Sequence, residues 1–292
     1  FASDALNELA GNGLYEFAAA ARNNEMDFMR LYAALPDREA FASVRGKQSM
    51  SVDAWRSADP EDRLYTIRAP GREKRLNVVL VSVESFGAEF IGAWGDTRGL
   101  TPRVDQLARE GLSFGAVYAT GNRTVRGLEA LSLAIPPTPG QSIVKRPHNG
   151  QLFSLGDVFE NKGYDRAYIY GGYGYFDNMT EFFSHNDYRV VDRQAIAKDS
   201  IHYENIWGVA DEDLFDLVIR EIDASLEKSQ GRTPVFAHVM TTSNHRPYTY
   251  PDGRIDIPSG TGREGAVKYT DWAIGHFIDE ARKKPWFKDT LF

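Results

Sequence analysis

Three side chains in this sequence could do chemistry together: the carboxylate of Glu84, the hydroxyl of Thr124 and the imidazole of His245. A hydroxyl is a poor nucleophile near neutral pH until a neighbouring base or a metal takes its proton, and a carboxylate such as Glu84 could hold that metal. A histidine in the polar stretch Thr241-Thr242-Ser243-Asn244-His245-Arg246-Pro247-Tyr248 could bind a phosphate or protonate a leaving oxygen. Each has a plainer alternative. Glu84 could be salt-bridged or cap a helix, Thr124 could be an ordinary N-cap, and His245 could be an incidental loop residue.

Other residues are candidates of a second kind. Tyr173, Tyr175 and Phe176 could line an apolar wall for a ligand or pack a loop. Arg123 and Arg126 flank Thr124 and could steady a phosphate or stand solvated. Asp211 reads as a helix cap, and the glycines from 171 to 174 lack the spacing of a nucleotide-binding loop.

The elements that must position these groups follow from periodicity. Asn77 to Val83 is an almost unbroken apolar run, which suits a strand buried on both faces of a parallel sheet and delivers Glu84 at its carboxyl end, where such sheets place ligands. Pro102 to Glu110 reads as a helix with Thr101 as N-cap and Gly111 as its stop, followed by a short strand at Leu112 to Tyr118. Thr124 opens a helix that ends before Pro136-Pro137, so its hydroxyl meets free backbone N–H groups and the positive end of a helix dipole. Further helices are expected at Phe153–Lys162, Asp211–Leu226 and Gly265–Lys283, and strands at Asp165–Tyr170 and Pro234–Thr241. The alternation predicts a doubly wound α/β fold with a mainly parallel central sheet flanked by helices. Glu84, Thr124, Phe176 and His245 would then converge on one rim.

Upstream, Leu6, Leu9, Leu14, Phe17 and Ala20, then Phe28, Leu31 and Tyr32, have the spacing of two amphipathic helices separated by Arg22-Asn23-Asn24. The polar segment 37–75 lacks a sustained period and reads as an extended wrap. The expected division is a helical and extended segment over 1–75, wrapping the core or linking to upstream membrane helices, and a catalytic domain over 76–292. The chain starts at Phe1 without a signal-peptide pattern and reads as part of a longer protein.

Composition bounds the function classes. The 292 residues carry 34 basic and 41 acidic side chains, a net charge of −7 that argues against nucleic acid as a partner. No stretch approaches the ~20 apolar residues of a membrane-spanning helix. The absence of cysteine excludes thiolate metal sites, cysteine nucleophiles and disulfides.

In combination, Val81-Ser82-Val83-Glu84-Ser85, Gly121-Asn122-Arg123-Thr124, Tyr175-Phe176-Asp177-Asn178 and Ser243-Asn244-His245-Arg246-Pro247-Tyr248 resemble the lipoteichoic acid synthase and phosphoglycerol transferase family, within the sulfatase and alkaline phosphatase superfamily. The resemblance runs from about Leu76 to the C-terminus, and Asn12-Gly13-Leu14-Tyr15-Glu16-Phe17 is similar to the segment after the membrane-spanning part of such proteins. It implies an extracytoplasmic domain, periplasmic or at the outer face of the inner membrane, tethered by upstream helices. The implied reaction moves phosphoglycerol from a phosphatidylglycerol-type phospholipid donor to a cell-envelope glycan or polyol acceptor. By the same resemblance Thr124 is the nucleophile, passing through a phospho-threonine, and Glu84 and Thr124 are metal ligands. The implied cation is Mn²⁺, with Zn²⁺ or Mg²⁺ as alternatives. His245 matches the substrate histidine, Phe176 an aromatic of the glycerol pocket, and Asn178 a position held by arginine in Gram-positive synthases.

One departure stands out. The family takes its remaining metal ligands from an Asp-His pair after a later strand, and this chain contains no such dipeptide. The expectation is a domain truncated at its C-terminus, with weak metal binding and little activity by itself. A true sulfatase is disfavoured, since Thr124-Val125-Arg126-Gly127 offers no Cys or Ser for formylglycine. Phosphoethanolamine transferases, or another phosphodiester hydrolase of the superfamily, form one alternative, and a non-catalytic glycan- or lipid-binding relative forms the other.

Overall fold

Residues 1–74 with 139–141 form one unit and residues 75–138 with 142–292 another; the computed structural model describes residues 3–22, 28–47, 55–62, 65 and 71–292. The first unit holds helices α1 (Asp4–Ala10), α2 (Gly13–Arg22), α3 (Phe28–Leu31) and α4 (Asp37–Lys47). Asn12 Oδ1 accepts the Leu14 and Tyr15 N–H groups and so caps α2. Helix α4 falls where an extended segment was expected. Its signal is charge rather than apolar period, with Asp37 and Glu39 in the first turn and Arg45 and Lys47 in the last, complementing the helix dipole. Several apolar side chains of this unit, Leu9, Leu14 and Phe17 among them, are exposed. The polar break at Asn23-Asn24 and parts of the 37–75 segment (48–54, 63–64 and 66–70) lie outside the described residues.

In the second unit, strands β1 (Asn77–Ser82), β2 (Asp165–Tyr170), β3 (Arg189–Asp192), β4 (Val235–Met240) and β5 (Thr290–Leu291) form one parallel sheet in the order β3-β2-β4-β1-β5. Alternate side chains enter two cores. Val79, Ala167, Ile169, Ala237 and Val239 pack against α9 (Asp211–Ser229) and α10 (Arg263–Arg282). Tyr168, Tyr170, Phe236 and Met240 pack on the other face against α6 (Thr124–Leu133) and α8 (Met179–Ser184). This explains why β1 and β4 read as continuous apolar runs: each fully buried Val, Leu or Phe contributes about 1.5–3 kcal/mol, and both faces collect that gain. Two further helices, α5 (Pro102–Glu110) and α7 (Leu155–Asn161), complete the layers.

One expectation fails locally and another holds in position but not in its side-chain bond. Leu112 to Tyr118 is irregular rather than a strand, with Leu112, Phe114, Val117 and Tyr118 all exposed. Strand propensity is realised only against a neighbouring strand, and no described strand pairs with this segment. At α5 the N-cap position is Thr101, but its hydroxyl binds Phe90 O and its oxygen accepts from Gly92 N. The cap comes instead from α10, where the Asp271 carboxylate accepts from Arg103 N at 3.0 Å and Val104 N at 2.7 Å.

Candidate active site

Strand β1 ends at Ser82 and the backbone turns sharply at Ser85, whose φ of 50° lies in the left-handed region. Between them stands Glu84. Its backbone N–H donates to Thr241 Oγ1 at 3.0 Å, and Ser85 Oγ donates to Glu84 Oε1 at 3.0 Å. On the facing element Thr124 is the first residue of α6, entered through the extended backbone of Arg123. Thr124 Oγ1 donates to Glu84 Oε2 at 2.9 Å. The hydroxyl proton therefore already points at a carboxylate, and the oxygen sits at the N-terminal end of a ten-residue helix, where developing negative charge is favoured.

The surroundings hold both groups still. The Asn244 side chain is fully buried, and Nδ2 donates to the Glu84 and Ser85 carbonyls at 3.0 and 2.9 Å, so two acceptors dictate the amide orientation. Arg263, at the start of α10, adds a donor to Ser85 O at 2.8 Å. These bonds offset the cost of the left-handed Ser85. Asp211 does not cap its own helix. Its buried carboxylate accepts from Thr242 N, Ser243 N and Thr270 Oγ1, and so fixes the loop between β4 and His245. Burial raises its pKa, against the lowering effect of those donors. Helix α6 is locked by Glu129, which accepts from Arg126 Nη1, Ser142 Oγ and Ile143 N at 2.7 Å each. Arg126 is thus paired within the helix.

Beneath the site, His238 lies buried in β4 with Nε2 2.8 Å from Ser82 Oγ, and burial pushes its pKa down to about 4. Tyr170, also buried, is held protonated by desolvation and then by the Glu84 charge.

His245 follows on the β4 loop. Its Nδ1 is 3.1 Å from Arg246 O, and because a carbonyl only accepts, Nδ1 carries a proton and Nε2 is left for other partners. The Trp207 ring lies against it, centroids 3.8 Å apart, and Phe176 meets Trp207 edge-on at 5.6 Å. Tyr173 and Tyr175 stack on each other, with the Arg193 guanidinium 4.6 Å from the Tyr173 ring centroid. Asn178 has a left-handed backbone and donates its amide to Val144 O at 3.1 Å. Arg123 is exposed, and among the described residues its guanidinium has no hydrogen bond or ion pair.

The sulfatase family profile matches residues 76–292. The chain belongs to the sulfatase family. Phosphoglycerol transferase I of Escherichia coli O127:H6 is 26% identical over 288 residues, which cover 90% of this chain and 36% of that protein. A Vibrio parahaemolyticus protein of the alkaline phosphatase superfamily superposes with a TM-score of 0.76 at 34% identity, covering 89% of this chain and 62% of that one. The lipoteichoic acid synthase LtaP of Listeria monocytogenes superposes with a TM-score of 0.63 at 19% identity, covering 74% of this chain and 54% of that one, a likeness of fold. The chain spans little more than a third of the curated relative's length.

In this sulfatase-family domain the sheet brings Glu84 and Thr124 into contact and carries His245 and Phe176 on loops joined through Trp207. Sequence reasoning missed Trp207, Asn244, Arg263 and the role of Asp211. A lone Trp before Gly208 in a polar segment was the available signal for the first, and the others have none at the level of residue type. A divalent cation takes four ligands as Zn²⁺ or about six as Mn²⁺ or Mg²⁺, of which Glu84 and Thr124 would supply two. No cluster of three His, Asp or Glu donors among the described residues includes Glu84. These residues alone do not fit a divalent cation.

Proposed function

We propose that this domain transfers a glycerol phosphate group from a phosphatidylglycerol-type lipid to a hydroxyl of a cell-envelope glycan or polyol, with Thr124 as nucleophile. The Thr124 to Glu84 hydrogen bond carries the reading. Thr124 Oγ1 attacks phosphorus as Glu84 accepts its proton, a Thr–O–P bond forms, and the P–O bond to the diacylglycerol breaks. The doubly protonated His245 ring, its Nδ1–H held by Arg246 O, gives its Nε2 proton to the diacylglycerol oxygen as that oxygen leaves. An acceptor hydroxyl then gives its proton to His245 Nε2 and attacks the phosphorus, the Thr–O–P bond breaks, and Thr124 regains its proton from Glu84. Phe176 lines the glycerol side, and Arg123 and Asn178 are assigned to the substrate rim.

The sulfatase and alkaline phosphatase superfamily is divalent-metal dependent, and Mn²⁺ is the proposed cation, of which Glu84 and Thr124 would be two of the ligands. The proposed setting is extracytoplasmic, beside a membrane. No helix among the described residues is long and apolar enough to cross one. The test is release of glycerol phosphate from phosphatidylglycerol vesicles, with mass spectrometry of the Thr124 peptide. In the complete ectodomain supplied with Mn²⁺, wild type should release product and show a glycerophosphoryl adduct, and Thr124→Ala should do neither. Equal turnover by the two proteins would reject the reading.

A further inference from the structure

We infer that Trp207 is the positioning residue for His245, holding its imidazole so that Nε2–H of the doubly protonated ring is presented to a phosphoryl oxygen. This rests on the proposed role of His245. Among the described residues the imidazole has one hydrogen bond, from Nδ1–H to the neighbouring Arg246 carbonyl, which engages one side of the ring but leaves it free to swing about that contact. What limits the swing is the Trp207 face, 3.8 Å between centroids and inclined by 38°.

Trp207 can serve as a wall because its loop is pinned on every side. Glu204 and Val209 pair as an antiparallel bridge, and Ala210 N donates to Tyr203 O at 2.8 Å. At the base, Asp213 Oδ2 accepts from His202 N and Tyr203 N, and Asp213 Oδ1 lies 2.5 Å from His202 Nδ1. At the tip, Trp207 N donates to Asn205 Oδ1, and Asn205 Nδ2 to Thr249 Oγ1 beyond His245. Val209 N reaches Gly171 O at the end of β2, and Val209 O accepts from Thr242 on the β4 loop. Gly208 packs so close that a Cβ there would lie 2.4 Å from Gly171 O. The loop thus ties the end of β2, the start of α9 and the β4 exit loop into one frame, with Phe176 meeting the Trp207 ring edge-on.

The experiment titrates the chain with sn-glycerol 1-phosphate and follows the His245 ring resonances by NMR, with intrinsic fluorescence and binding calorimetry for variants lacking His245. An aromatic pair of this kind is worth about a two- to tenfold change in affinity. Trp207→Ala and Trp207→Leu should weaken binding by that factor, and Trp207→Phe should restore most of it. The Leu variant fills the volume without a ring face, so it separates stacking from loop collapse should the Ala variant fail to fold. In a His245→Ala background, Trp207→Leu should have no further effect. The same loss in both backgrounds, or full binding by Trp207→Leu, would overturn the inference while leaving the function intact. Wild-type binding unaffected by His245→Ala would instead remove the role of His245 on which the inference stands.

Discussion

Thr124 Oγ1 donates to Glu84 Oε2 at 2.9 Å, across the gap between the exit of β1 and the first turn of α6. Neither residue has a second side chain competing for that bond, since Ser85 Oγ occupies the other carboxylate oxygen. Glu84→Gln keeps the shape but removes the acceptor of the Thr124 proton. Phosphoryl transfer should fall by about 10²–10⁴-fold with unfolding free energy nearly unchanged. Steady-state release of glycerol phosphate beside a thermal melt checks this, and an active Gln variant would assign the proton elsewhere.

Asn244 should be intolerant of a change by one atom. Asn244→Asp replaces two N–H donors by an oxygen facing the Glu84 and Ser85 carbonyls, leaving both acceptors and the left-handed Ser85 unsupported. The expected cost is about 2–3 kcal/mol, measured by urea denaturation.

Gly208 tests the frame around Trp207 from outside the site. Gly208→Ala forces a methyl towards Gly171 O, which is backbone and cannot step aside as a flexible side chain would. A loss of about 1–3 kcal/mol is expected, together with weaker glycerol phosphate binding, in denaturation and calorimetry respectively.

Two buried groups should give the stability opposite pH dependences. His238 has a folded pKa of about 4, below its ordinary 6.5, so the unfolded chain binds more protons between those values and stability rises with pH across that window. The span corresponds to roughly 3 kcal/mol, and His238→Gln should remove it. Asp271 is pushed up to about 6 from 3.8, chiefly by burial, so its contribution is full below the lower value and is lost as pH rises through the upper one. Asp271→Asn should make stability climb more steeply with pH than in wild type. Melts at closely spaced pH between 4 and 7 separate the two, and parallel curves for all three proteins would contradict both assignments.

The two donors at Glu84 and Thr124 set a limit on metal affinity. Dialysed against chelator and titrated with Mn²⁺, this 292-residue chain should bind far more weakly than a four-ligand site, and Glu84→Ala should abolish what binding there is. Stoichiometric retention of metal after dialysis would require ligands beyond these two.

By itself the sequence determined the elements whose burial is two-sided or whose ends are punctuated. The apolar runs of β1 and β4, the Pro102 helix start and the helix beginning at Thr124 are written in local periodicity and turn chemistry, and so was the convergence of Glu84 and Thr124 at one end of a parallel sheet. Tertiary structure decided the rest. Leu112 to Tyr118 has the composition of a strand but no described neighbour to pair with; Asp271 caps a helix distant in the chain; and Asp211, which looks like a cap, instead braces the β4 loop. Trp207 meets His245 only because β2 and β4 are adjacent in the sheet. Such contacts depend on strand order and loop register, which bring remote residues within a few ångströms and which no local pattern encodes.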